Sequence, residues 1–208
     1  MRNSPKHIGW IEVICGPMFS GKTEELIRRV KRAIYGKQRV QVFKPKLDAR
    51  YHPLRLVSHS HQQFTSIPIE RSEDILTALD AQTQVLAVDE VQFLGLALVP
   101  ICETAANRGL QVICAGLDQD YLGNPFEPMP QLLAIAEQIT KLLAICVVCG
   151  NPANRSQRVI SRGERLVVGA TEAYEARCRR CFVPSPVEAT PPQTLDLFED
   201  PGGKRGLF

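Results

Sequence analysis

The sequence has no apolar run approaching the ~18 residues needed to cross a bilayer, and its first residues, MRNSPKHIGWIEVICG, lack the long apolar core of a secretion signal. A cytoplasmic location with no membrane partner is therefore expected. An excess of charge is missing too: 25 Lys and Arg stand against 22 Asp and Glu, a formal +3. Such a balance argues against a broad electrostatic surface for nucleic acid and leaves room for a small anionic ligand. Internal repeats are absent, and 208 residues cannot hold two large domains, although 44% hydrophobic content suffices for one packed core and a small appendage. Cysteine is the exception, with seven. An odd number without an export signal argues against a disulfide framework and for reduced thiols or metal ligands.

Strand and helix patterns alternate along the chain. Trp10 to Cys15 is apolar, partly β-branched and ends at a glycine; it runs into Thr23 to Tyr35, where Leu26, Ile27, Val30 and Ile34 fall at helical spacing. Arg39 to Phe43 reads as a second strand, Ser72 to Leu79 as a short helix, and Val85 to Val88 as a third strand ending in Asp89 and Glu90. Leu98 to Arg108 reads as a helix that Gly109 ends, and Leu110 to Ala115 as a strand covered on both faces. Leu132 to Leu143 completes the pattern as a further helix. The expectation is an α/β fold with a parallel sheet, followed by a small β appendage around CVVC and CRRC.

Residues 16 to 23 carry the sharpest chemistry. Gly16, Pro17, Met18, Phe19, Ser20, Gly21, Lys22 and Thr23 read GPMFSGKT, the phosphate-loop pattern, set between the first strand and the first helix. Such a loop turns backbone N–H groups toward phosphates, and the helix directs the positive end of its dipole at the same charge. Lys22 would bridge the β- and γ-phosphates of ATP, and the Thr23 hydroxyl suits a Mg²⁺ that keeps most of its waters. An ordinary glycine turn is the competing reading, opposed by both flanks. Asp89 and Glu90 stand where a strand of an open α/β sheet ends, which is the ligand-binding edge. Asp89 would hold the metal through its water shell, and Glu90 would orient or deprotonate an attacking hydroxyl. A solvated acidic strand end is the alternative for this pair. Asp48 and Arg50 follow the second strand; Arg50 is either a cation for the transferring phosphoryl group or a solvated loop arginine.

Cys146 with Cys149, and Cys178 with Cys181, form two CxxC pairs separated by 28 residues. Four thiolates suit a closed tetrahedral Zn²⁺ site with no position for substrate, hence a structural one. The separation exceeds the ~15–20 residues usual between such knuckles, which predicts a loop projecting from the metal base and able to cover a ligand. Redox chemistry by either pair is the rival reading. Cys15, Cys102 and Cys114 lie in apolar segments as core thiols. His59 and His61 could share a strand face toward a metal, but no third ligand accompanies them, and solvated loop residues are the simpler reading.

With GPMFSGKTEELIRRVKRA, FKPKLDARY, VDEVQF, AGLDQDYLGNPF, AICVVCG and YEARCRRC in order, the chain from Gly9 to Phe182 closely resembles the thymidine kinases of the zinc-containing, cytosolic type. The resemblance implies a RecA-like P-loop domain, a zinc-anchored lasso that closes over thymine, and a homotetramer with dTTP as feedback inhibitor. It implies that Glu90 is the catalytic base, that Lys22, Thr23 and Asp89 serve the phosphates and Mg²⁺, and that Asp48 and Arg50 approach the 5′-hydroxyl and the transferring phosphate. Met18, Phe93, Leu117, Tyr121, Phe126 and Tyr174 would pack around thymine, with the backbone near Val168, Gly169 and Ala170 bonding its polar edge. The expected division is 1–142 as kinase domain, 143–183 as zinc-binding lasso and 184–208 as tail. Tyr121 stands where phenylalanine is common in the family, Glu127 where glycine often follows the PF pair, and SHSHQ in place of a glycine-bearing stretch.

Two rivals stay in view. One is a kinase of the same architecture acting on deoxyuridine or deoxycytidine. The other is a zinc-ribbon ATPase binding nucleic acid through the CRRC arginines and Arg28, Arg29, Lys31 and Arg32. In the polar tail, Gln193 to Phe198 reads QTLDLF, which resembles the short peptides that bind bacterial sliding clamps; residues folded back on the body or lacking a partner are the alternative.

Overall fold

The computed structural model describes residues 8–46, 55–57, 63–159 and 173–184. In chain order the first part comprises β1 (Trp10–Cys15), α1 (Lys22–Tyr35), β2 (Val40–Pro45), β3 (Arg55–Val57), β4 (Gln63–Thr65), β5 (Ile67–Ile69), α2 (Asp74–Ala78) and β6 (Val85–Val88). There follow α3 (Leu98–Asn107), β7 (Gln111–Gly116), α4 (Met129–Ile135) and β8 (Gln138–Lys141). Six strands form one sheet in the order β5-β2-β6-β7-β1-β8, and every pairing in it is parallel. All its strands therefore end along one edge, where a ligand of an open α/β sheet binds.

The central strands show why they pair as they do. Val112 to Ala115 of β7 and Val85 to Val88 of β6 are fully buried, because helices cover both faces. Successive side chains alternate: Ile113 and Ala115 join Leu26, Ile27 and Val30 of α1, whereas Val112 and Cys114 join Leu98, Ile101 and Cys102 of α3 and Met129 and Leu132 of α4. Each large aliphatic side chain so buried stabilises the fold by roughly 1.5–3 kcal/mol.

Helix α1 starts where Gly21 adopts φ 82 and carries Glu24 and Glu25 in its first turn and Arg32 in its last, matching its dipole. Glu25 accepts hydrogen bonds from Arg28 (2.7 Å) and Arg29 (2.8 Å). The Arg28 hydrogen bond, with Arg29 adding to it against the opposing effect of burial, holds the Glu25 carboxyl down at about 2. Arg29 also pairs with buried Glu12 and donates to Thr140 Oγ1 at 2.7 Å. The basic stretch of this helix is thus partly spent on internal pairs, which counts against its use as a nucleic-acid strip.

One expectation is corrected. Leu132 to Leu143 is not one helix: α4 starts earlier, at Met129, ends at Ile135, and the chain turns extended at Ala136 (ψ 135) before β8 joins β1 as a sixth strand. Pro128 and Pro130 sit at the helix start, where their missing N–H groups cost nothing. Glu137 then accepts the Ile11 N–H at 2.6 Å, tying the turn to β1, and the β-branched Ile139 and Thr140 suit an edge strand. The apolar residues of this stretch fit a helical period by coincidence, and the unpaired edge of β1 wins.

Among the described residues three small antiparallel pairs lie outside this sheet, the first being β3 with β4. β9 (Ala144–Ile145) pairs with β10 (Pro152–Ala153), and β11 (Arg155–Arg158) with β12 (Tyr174–Arg177). Residues 160–172 lie outside those described.

Candidate active site

Between β1 and α1 the chain makes the turn that its glycines permit. Gly16 has φ 148, and a Cβ there would stand 2.4 Å from the Leu142 carbonyl oxygen, so no larger residue fits. The loop is braced internally: Ser20 Oγ and Lys22 Nζ both donate to the Pro17 carbonyl, at 2.8 and 2.7 Å. Lys22 is buried at the mouth of the loop, 9% exposed. Across the edge, Thr23 Oγ1 donates to Asp89 Oδ2 at 3.2 Å, joining residues 66 positions apart. A hydroxyl and a carboxylate so placed form the donor set that suits a hydrated hard cation.

Glu90 follows directly, in the left-handed region at φ 51, where a non-glycine residue is uncommon and costs energy. It caps a short 3-10 turn, Val91–Phe93, which carries Phe93. The amide of Gln92 donates to Glu90 Oε2, and its oxygen accepts the Leu117 N–H at 3.0 Å. Leu117 leads into Asp118, which is 8% exposed and ion-paired with Lys141 of β8 at 2.7 Å. The Phe126 N–H donates to the Asp118 carbonyl at 3.2 Å. Burial first and the Asp118 carboxylate second push the nearby Cys15 thiol up to about 11, so it is no nucleophile.

The β11–β12 pair meets this edge. Met18 N donates to the hydroxyl of buried Ser156 at 3.0 Å, the Arg158 guanidinium lies 5.3 Å from the centre of the Tyr121 ring, and Tyr174 stands opposite Arg158 in the pairing. Met18, Tyr121 and Tyr174 are thereby tied to one hairpin, while Phe93 and Leu117 are tied to the Glu90 turn. Ser156, Gln92 and the Asp118–Lys141 pair were not singled out from the sequence. Gln92 stood inside VDEVQF, but nothing local marks a serine of β11 as a partner of Met18. Asp48, Arg50, His59, His61, Val168, Gly169, Ala170 and Gln193 to Phe198 lie outside the described residues.

Cys146, Cys149, Cys178 and Cys181 form the metal-ligand cluster among the described residues, their sulfurs all within 4.8 Å of one another. The Cys149 and Cys178 sulfurs are 3.6 Å apart, close to the about 3.8 Å edge of a tetrahedron with ordinary Zn–S bonds. Four thiols at such range cannot all ionise unaided. Burial opposes ionisation of Cys146, but the backbone N–H groups of Cys178, Val148 and Cys149 outweigh it and bring that thiol down to about 6, while the hydrogen bond with Cys149 leads the effects that push Cys181 up to about 12. A dication resolves that conflict, and the four sulfurs could hold zinc. Cys102 and Cys114 are buried with their sulfurs 3.6 Å apart, away from this cluster in the core.

The comparisons with known proteins agree with this geometry. A family model described as thymidine kinase matches residues 9–182. The chain is 55% identical over 177 residues to a thymidine kinase of Rhodothermus sp. (strain ITI 518), covering 85% of this chain and 83% of that protein. It is 52% identical over 176 residues to a thymidine kinase of Bdellovibrio bacteriovorus (strain ATCC 15356 / DSM 50701 / NCIMB 9529 / HD100), covering 85% and 86% respectively.

Proposed function

The chain belongs to the thymidine kinase family and is an ATP-dependent kinase that phosphorylates thymidine; from that premise we propose how its residues divide the work. Glu90 accepts the proton of the 5′-hydroxyl as that oxygen bonds to the γ-phosphorus and the β–γ bridging bond breaks, releasing ADP and leaving dTMP. Lys22 and the loop N–H groups take up charge on the transferring phosphoryl group. Thr23 and Asp89 would hold Mg²⁺, which would neutralise phosphate charge when bound. Asp48 and Arg50 complete the acceptor side. The observation that carries this reading is the Thr23–Asp89 hydrogen bond, which joins the phosphate loop to the strand end where Glu90 is turned into the left-handed region.

Thymine would lie among Met18, Phe93, Leu117, Tyr121, Phe126 and Tyr174, with the backbone of Val168, Gly169 and Ala170 reading its polar edge. Residues 143–183 form the zinc-held unit that carries this cover, 1–142 the kinase domain and 184–208 the tail. A homotetramer, feedback by dTTP and a cytoplasmic location complete the proposal; among the described residues no helix is long and apolar enough to cross a membrane.

The test is ATP-dependent phosphorylation of a nucleoside panel by the purified, zinc-loaded chain. Thymidine should exceed deoxyuridine by about tenfold in kcat/KM, as expected for one methyl group in an apolar pocket, with purine nucleosides far lower. Binding of ATP and Mg²⁺ without phosphorylation of any nucleoside would sink the reading. Independently, Leu195, Leu197 and Phe198 suit a groove that takes extended peptides. An immobilised bacterial sliding clamp should retain the full chain, and equal recovery of a Leu197→Ala, Phe198→Ala variant removes that contact.

A further inference from the structure

Resting on Glu90 as the base, we infer that Gln92 is a positioning residue that fixes the Glu90 carboxylate and links it rigidly to the pocket wall at Leu117. Its side chain is buried, 5% exposed, and makes two unlike contacts with one amide. The nitrogen donates to Glu90 Oε2, and the oxygen accepts the Leu117 N–H at 3.0 Å. A carboxylate takes only a donor and an N–H only an acceptor, so a flipped amide loses both bonds and the orientation is unique.

The end of β7 is shaped around this amide. A Cβ on Gly116 would stand 2.6 Å from Gln92 Oε1, 2.7 Å from Val91 Cγ2 and 3.0 Å from Met129 Cε. Glycine at 116 keeps the space that the amide fills, and any larger residue must push it away from Leu117. The Glu90 backbone is set by the 3-10 turn, in which the Phe93 N–H donates to the Glu90 carbonyl at 3.1 Å. Gln92 then fixes the side chain as well. With Oε2 held, the position of the whole carboxylate is defined relative to the same strand end that carries Leu117. A base held within hydrogen-bond reach of the acceptor hydroxyl needs no search at the moment of transfer.

The experiment compares wild type, Gln92→Met, Gln92→Glu, Glu90→Gln and the double variant Glu90→Gln, Gln92→Met, reading kcat, both KM values, zinc content and Tm. Gln92→Met loses both contacts: kcat should fall about 30-fold and thymidine KM rise about fivefold, with ATP KM within about twofold. Gln92→Glu keeps an oxygen for the Leu117 N–H but sets a second carboxyl against Glu90, and the two must share a proton that leaves Glu90 a poorer acceptor, so thymidine KM should return toward wild type while kcat stays about 30-fold down. If Gln92→Met does not fold, Gln92→Glu alone carries the reading. In the Glu90→Gln background the Met substitution should cost no more than about twofold further, because its effect runs through Glu90. A Gln92 variant with kcat within about threefold of wild type, or a full additional loss in the double variant, overturns the inference. Should Glu90→Gln itself keep kcat, the base assignment falls and takes this inference with it; an inactive Glu90→Gln beside intact Gln92 variants removes Gln92 alone.

Discussion

Glu90→Gln should lower kcat about a thousandfold, within the range that a general base contributes, while both KM values stay within about twofold. The substitution is close to isosteric, and its amide oxygen can still accept the hydrogen bond that Gln92 gives Glu90 Oε2. Glutamine pays about the same backbone cost as glutamate at φ 51, so strain is not what changes. Proton acceptance is. A thousandfold corresponds to about 4 kcal/mol of activation free energy, more than the about 1 kcal/mol expected from one neutral hydrogen bond lost. In the proposed division of work ATP binding rests on the phosphate loop and on Thr23 with Asp89, none of which is altered. Steady-state kinetics with thymidine in excess, beside a direct ATP-binding measurement, separate the two. A variant within about fivefold of wild type in kcat shows that the hydroxyl loses its proton without this carboxylate.

The site was legible where its residues are neighbours in sequence, and much less so where they are not. GPMFSGKT lies within eight residues and dictates its own turn, since Gly16 and Gly21 take backbone angles that other residues resist. Asp89 and Glu90 follow a four-residue strand whose apolar run is unmistakable. The two CxxC pairs offered a metal-ligand set by their spacing, with redox chemistry as the rival. By contrast, the bond from Met18 to Ser156 spans 138 positions, and that from Leu117 to Gln92 spans 25. Neither serine nor glutamine carries a periodic signal, so only the fold identifies them. The same limit explains β8. Leu132, Leu133, Ile135, Ile139 and Leu142 satisfy a helical period, and what breaks the helix is the open edge of β1, 126 residues away in the bond from Ile11 to Glu137.

Removing a zinc held by the four cysteines should separate the two halves of the proposed active site. Among the described residues, the buried cluster of the β9–β12 unit consists of Ala144, Cys146, Ala153, Ala176 and Cys178, with no large aliphatic side chain among them. Alanine and cysteine bury too little apolar surface to offset the entropy of ordering such a unit, and units below about 40 residues usually need a metal or disulfides. Structural zinc supplies roughly 10–16 kcal/mol to small sites of this kind, which exceeds what this core can give. A strong chelator, or Cys146→Ser with Cys178→Ser, should therefore release the β11–β12 pair, taking Ser156 from the Met18 N–H and Arg158 from Tyr121. Thymidine kcat/KM should fall at least about a hundredfold, because the proposed cover over the base is lost, whereas ATP binding should change by less than about threefold, because the phosphate loop follows a strand of the six-stranded sheet. Elemental analysis should find one zinc per active chain, and the loss of activity should track its removal. Metal-free protein with unchanged thymidine kinetics would mean that the four sulfurs do not support the cover. An equal loss of ATP affinity would mean that the bond from Met18 to Ser156 holds the phosphate loop itself in shape, and that the two halves of the site fold as one.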